Sequence, residues 1–174
     1  MNFEVMGPYT LKRFGEKHKI ITDQTRTNLK VLLDDNENGL SSARGCYVFA
    51  IHAGQGYTPY YVGQAAKQSL LRESLSHGKQ AIYNKVCSNT NGTPVLFFVP
   101  ATTRSGKYRA TNTKLPSITF LEQWLIAKAL EKNPELHNTK ETKFLRKLHV
   151  TGIFNATQGE ATKSSGELAK ALSL

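Results

Sequence analysis

Long apolar runs, internal repeats and acidic side chains are all scarce in this chain of 174 residues. Its longest apolar stretches, such as Val95 to Val99, are far too short to span a bilayer. No basic segment followed by an apolar one opens the sequence, so no secretory signal is expected. Two cysteines, Cys46 and Cys87, are too few for a disulfide scaffold or a cysteine-built zinc site. Both are expected as reduced core residues of a cytoplasmic protein, since a free cysteine packs as a small hydrophobe. Amphipathic basic stretches with bulky apolar anchors are missing too, which argues against a membrane-surface role. Asp and Glu number 13 against 23 Lys and Arg, a net charge of +10. That imbalance points to a polyanionic partner, because Lys and Arg release the counterions condensed on nucleic-acid phosphates. The plainer alternative is a basic face that is simply solvated.

What is present supports a core. Hydrophobic residues make up 39% of the chain, and mean hydropathy is −0.40. The length fits one domain with decorations. The first 44 residues read as an extension packed on that domain: an apolar–polar alternation at Phe3 and Val5, a helix presenting Leu29, Leu32 and Leu33, then a polar loop over 34–39. From Gly45 the signals sharpen. Cys46 to Ile51 is aromatic and β-branched, hence a strand. The glycines and proline of 53–59 turn the chain, and Tyr60 to Gly63 extends again, predicting a hairpin whose loop is longer than the tightest turns. Ser69 caps a helix carrying Leu70, Leu71 and Leu75; a second helix carries Ile82, Tyr83 and Val86. Pro94 to Val99 reads as a strand buried on both faces. Thr102 to Lys114 is polar and basic, a loop or protruding hairpin. Ser117 to Glu131 is the strongest helix, with Phe120, Leu121, Trp124, Leu125 and Leu130 as its apolar stripe, stopped by Asn133-Pro134. A short helix near Leu145, a strand at Val150 to Phe154 and a last helix at Glu167 to Leu172 complete the reading. The fold class is α+β: a small three-stranded antiparallel sheet flanked by helices, with a core over 45–138 and a C-terminal extension over 139–174.

Gly45-Cys46-Tyr47 followed by Tyr61-Val62-Gly63, on two adjacent strands, resembles the paired signature tripeptides of the GIY-YIG nuclease superfamily. Glu122 in the helix after the third strand, and Asn138 beyond it, stand where that family has a metal-binding Glu and a nearby Asn. Tyr-Val-Gly-Gln at 61–64, Lys79, Tyr83-Asn84, Gly-Thr-Pro-Val at 92–95 and Leu121-Glu122 are also similar to stand-alone bacterial proteins of GIY-YIG type. The resemblance spans roughly Gly45 to Asn138. It implies a metal-dependent endonuclease that hydrolyses nucleic acid, DNA by expectation, through direct attack of water.

Each position has its own physical logic. Phosphodiester hydrolysis needs an attacking water, charge on the phosphoryl oxygens and help for the leaving oxygen. Glu122 lies beside a dense apolar stripe, where a carboxylate without a cation is unfavourable. Mg²⁺ suits it, since that ion retains waters and takes only one or two protein carboxylates. The resemblance gives Tyr47 the task of orienting or deprotonating the water and Tyr61 that of positioning water or phosphate. With a phenol pKa near ~10, either a neighbouring cation favours phenolate or metal-held hydroxide attacks. Tyr60 is a rival for Tyr61, but period-two alternation assigns it to the opposite face. Gly63 permits close backbone approach. Arg72 is the candidate phosphate clamp, able to give two parallel hydrogen bonds. It stands one residue further from Tyr61 than the family spacing, a turn of about 100° on a helix; Lys67 or Lys79 is the alternative cation. His77 corresponds to a family His or Tyr one turn on, and Gln64 stands where many members have Lys. Arg104, Lys107, Arg109 and Lys114, with Lys140, Lys143, Arg146 and Lys147, are candidates to track a nucleic-acid backbone. The rival function is a catalytically reduced binding module that keeps the fold.

Overall fold

Alternating aromatic and β-branched residues make the centre of the sheet, because such side chains pack well on a pleated surface. In the computed structural model, which describes residues 2–16, 19–110, 116–138, 142–154 and 160–172 (less the side chains of Lys143 and Phe144), the chain is α+β. The elements are β1 (Asn2–Phe3), β2 (Met6–Thr10), α1 (Asp23–Asn36), a 3₁₀ turn (Leu40–Ser42), β3 (Gly45–Ala53), β4 (Gly56–Ala65), α2 (Leu70–Ser74), α3 (His77–Asn89), β5 (Thr93–Thr102), α4 (Pro116–Lys132), α5 (Thr142–Lys147) and α6 (Lys163–Ala171). No helix among the described residues is long and apolar enough to cross a membrane.

The sheet has five strands, not three. Antiparallel β3 lies between β4 and β5 as expected. The difference comes from the N-terminal segment: β1 and β2 both pair antiparallel with the far edge of β5, through Asn2↔Thr102, Phe3↔Ala101 and Met6↔Phe98. Leu11, Ile21, Leu29, Leu33 and Leu40 of the same segment enter the largest apolar core with Tyr47, Phe49, Leu96 and Phe98. Asn84 of α3 secures the segment by accepting from Ile21 N–H (2.7 Å) and donating to its carbonyl (2.9 Å).

Helices α1, α2 and α3 cover the sheet face that carries Tyr47, Phe49 and Ile51. Cys46 and Val48, one residue out of phase, point to the other face, where Ile118, Leu125, Ile126, Ala129 and Leu130 of α4 cover them with Val62 and Val99.

Several local expectations change. Helix α1 runs on through 34–36, since Asp34 is held within it by Lys30 and by Ser41 (2.6 Å). The β3–β4 connection is a tight turn, with Ala53 paired to Gly56 and only 54–55 between them. A register shift after Phe49↔Tyr61 leaves Tyr60 as an extra residue opposite Ala50↔Pro59, so alternation fails there. Tyr60 therefore packs against the same core as Tyr61 instead of the opposite face. On α4, Phe120 and Trp124 face solvent, 71% and 51% exposed, because the stripe turned toward the sheet follows Ile118, Leu121, Leu125 and Ala129. Val150 and Phe154 form an isolated bridge around a turn, not a strand.

At the free edge of β4, the segment 133–138 replaces a sixth strand. Asn138 Oδ1 accepts from Val62 N–H (2.9 Å), and its Nδ2 donates to Val62 O (2.7 Å). Asn133 Nδ2 donates to Pro59 O (2.8 Å), and His137 N–H donates to Tyr60 O (2.8 Å). Both groups of Val62 are buried, so Asn138→Ala leaves a donor and an acceptor unsatisfied. The expected loss is ~1–3 kcal/mol, read as a lower denaturant midpoint at unchanged slope.

Candidate active site: a tyrosine cluster on the sheet

Tyr47 and Tyr61 meet on one face, because Tyr47 pairs with Gly63 and Tyr61 with Phe49 across the same two strands. Their rings lie 6.2 Å apart, nearly parallel. Tyr83 of α3 closes the group, edge-on to Tyr61 at 6.3 Å and stacked on Phe49 at 3.9 Å.

Gly45 and Gly63, the glycines of the two tripeptides, are there for space. At Gly45, with φ of 157°, a Cβ would sit 2.2 Å from Val99 O. At Gly63 it would sit 2.4 Å from both Cζ and Oη of Tyr47. The hydroxyl end of the Tyr47 ring thus occupies the space a side chain at Gly63 would need.

The cation at this cluster is Lys79. Its Nζ donates to Tyr61 Oη at 2.5 Å and stands 4.4 Å from the centre of the same ring. Lys79 and Tyr83 are four apart on α3 and so share a face. Tyr61 accepts from the ammonium and keeps its own O–H to donate.

Tyr47 has no solvent exposure, and neither its hydroxyl nor that of Tyr83 has a hydrogen-bond partner among the described residues. Burial pushes both phenols well above their usual range, aided by the neighbouring tyrosines and by Glu73, with Glu122 adding slightly at Tyr47. A phenolate at Tyr47 is therefore disfavoured at neutral pH. Burial likewise pushes Tyr9 up to about 12. Unfolded tyrosines ionise near ~10, so the unfolded state loses protons that the folded state keeps, and stability falls as pH rises past that value. Of the seven tyrosines, Tyr47 and Tyr83 should give no phenolate absorbance until alkali unfolds the chain. Early ionisation of all seven in a folded protein would contradict this burial.

The other predicted residues are placed as follows. Glu122 is half-buried on the stripe of α4 that faces the sheet, and its charge reaches the Cys46 thiol as well as Tyr47. Arg72 is exposed on α2 and lines a surface cavity with Arg26 and Lys30 of α1. The next residue, Glu73, is the one whose charge acts on Tyr47 and Tyr83. His77 begins α3 with its side chain 83% exposed, 3.2 Å from Asp23. Both ends of the Asn138 amide are engaged by Val62. Arg104 and Lys107 are exposed in the turn after β5, whereas Arg109 is half-buried, its Nε donating to Thr102 O (3.5 Å). Lys114 and Lys140 lie outside the described residues, as does the side chain of Lys143. Arg146 holds Leu136 O at 2.8 Å.

Of the four principal candidates, then, Tyr47 and Tyr61 come together, Glu122 lies on α4 against the opposite face of the sheet, and Arg72 lines a surface cavity away from the tyrosines. Tyr83 completes the cluster and Glu73 acts on it by charge; the sequence offered Tyr83 only within a helix face and a shared pattern, with no role at the site. The available signal was the four-residue spacing that puts Tyr83 on the face of Lys79.

Among the described residues no three His, Cys, Asp or Glu side chains stand together as a metal cage. Mg²⁺ does not need one, and a single half-buried carboxylate such as Glu122 fits its habit of keeping a mainly aqueous shell. No family model, curated protein or solved structure matches the chain.

Proposed function

We propose that this protein is a metal-dependent nuclease, hydrolysing phosphodiester bonds of nucleic acid, DNA foremost, at the tyrosine cluster. The observation that carries this reading is the meeting of Tyr47, Tyr61 and Tyr83 on one face of the sheet, with Lys79 bonded to Tyr61. The paired tripeptides and the net charge of +10 support it.

Lys79 brings a positive charge beside the Tyr61 oxygen and orients that phenol. The free Tyr61 O–H is then available to a phosphoryl oxygen or to the attacking water. Tyr47, neutral and fitted against Gly63, packs beside Tyr61 with its ring nearly parallel. Glu122 would hold Mg²⁺, which supplies positive charge to the phosphoryl oxygens.

The test is a cleavage assay on plasmid and oligonucleotide substrates with Mg²⁺ and Mn²⁺. Lys79→Met and Tyr61→Phe should each reduce cleavage by roughly 100-fold, the order for losing one preorganised electrostatic element, with melting temperatures close to wild type. Unchanged cleavage in both variants would remove the cluster from the chemistry.

Complete burial of Tyr47, and the location of Arg72 in a separate cavity, favour a second reading: a binding module of the same fold without catalysis. No cleavage by the unaltered protein, together with salt-sensitive binding, would select it.

A further inference from the structure

A cavity of about 520 Å³ opens between α1, the 3₁₀ turn and the start of α2. None of the tyrosine cluster lines it. Arg26 and Lys30 reach it from α1, Arg72 from α2, with Ser41, Ser42 and Ser69 among the remaining lining residues. Among the described residues no acidic one lines it.

Like charges on one helix four residues apart repel, and here each is offset outside the cavity. Arg26 pairs with Asp23 (3.0 Å) and Lys30 with Asp34. Arg72 has no ion pair among the described residues; only its backbone N–H is engaged, by Ser69 Oγ at 3.3 Å. A guanidinium thus remains uncompensated beside two further cations, and a planar fork of donors suits two phosphate oxygens. Ser69 accepts from that N–H and retains its own O–H to give; Ser41 has already given its to Asp34 (2.6 Å). The volume lies within the range of small-ligand sites. An adjoining cavity of about 500 Å³ shares Ser42 and continues to Lys107, with Glu37 on its wall held by the Tyr108 hydroxyl (3.4 Å).

We propose that the cavity between α1 and α2 is a phosphate-binding site, in which Arg72, Arg26 and Lys30 hold a phosphate of a nucleic-acid strand that then runs past Ser42 toward Lys107. The site stands on its own geometry and does not depend on hydrolysis at the tyrosines. It joins the first 44 residues to the substrate surface, since two of its three cations belong to them.

The experiment is run without divalent metal, so that cleavage is silent. Inorganic phosphate is titrated by phosphorus NMR, and a short fluorescent oligonucleotide by anisotropy at two salt concentrations. Arg72→Gln should weaken phosphate binding at least ~10-fold, as expected for a bidentate charged contact. Ser42→Glu, on an exposed turn residue, should abolish it by placing a carboxylate at the mouth. Both variants should also weaken the oligonucleotide and flatten its salt dependence. Thermal melts without phosphate confirm that each variant is folded. Phosphate and oligonucleotide binding unchanged in both Arg72→Gln and Ser42→Glu would overturn the proposal, even with cleavage intact. Loss of phosphate binding with oligonucleotide affinity untouched would overturn the nucleic-acid occupant. A protein that never cleaves, yet shows the expected binding losses, would sink the nuclease reading and leave this site standing.

Discussion

Glu122→Gln should lower cleavage by at least ~100-fold while leaving the fold intact. The amide keeps the size and hydrogen-bonding capacity of the carboxylate and removes only the charge that would hold the metal. Glu122 sits half-buried on the sheet-facing stripe of α4, where an ionised group is expensive, so the melting temperature should stay level or rise. Nucleic-acid binding should survive, because Arg72, Lys107 and the other exposed cations are untouched. The measurement combines a cleavage assay, a binding titration at two salt concentrations and a melt. Full cleavage by a folded Glu122→Gln protein would take this carboxylate out of the mechanism.

Gly63→Ala should damage the tyrosine cluster directly. Its Cβ would lie 2.4 Å from the end of the Tyr47 ring, and that ring is fully buried against Tyr61 and beneath the helices. Overpacking of this kind costs about 1–3 kcal/mol when the neighbours cannot retreat. Cleavage should fall further than stability does, because the ring that must move is the one supporting Tyr61. Tyr47→Leu, which shortens the obstructing side chain, should be less than additive with Gly63→Ala in a double-mutant cycle on unfolding free energy. Simple additivity would show that the contact is relieved elsewhere.

Much of the fold was legible because two periodicities alternate cleanly along the chain. Tyr47, Phe49 and Ile51 fall on one face of β3, and the apolar run 94–99 lies in β5, buried on both sides. What escaped the sequence was long-range pairing. Asn2 and Phe3 carry too little local signal to announce that they pair with Thr102 and Ala101. Tyr60 escaped because a register shift is decided by the partner strand as well as its own. Phe120 and Trp124 looked like core by type, yet the helix turns them outward by angle. At the site, the tripeptides mark where two tyrosines and two glycines meet. The extra residue between Tyr61 and Arg72 was visible in the motif spacing, and with it Lys79 as an alternative cation; that Arg72 would meet Arg26 and Lys30 of α1 was not.

The pairing of the first strands with β5 also has a consequence during synthesis. Asn2 and Thr102 are sequence-distant partners, so the opening segment leaves the ribosome long before its place in the sheet exists. Closing so large a loop is entropically slow. In that interval one edge of β5 stands open as soon as it forms, with Leu96 and Phe98 close by. The register shift between Met6 and Tyr9 falls in the strand that finally covers it. A nascent chain paused just after β5 therefore holds its most adhesive surface and the cover for that surface at the same time. A chain lacking the first 44 residues holds only the surface, and is expected to accumulate as aggregate instead of as a smaller folded core.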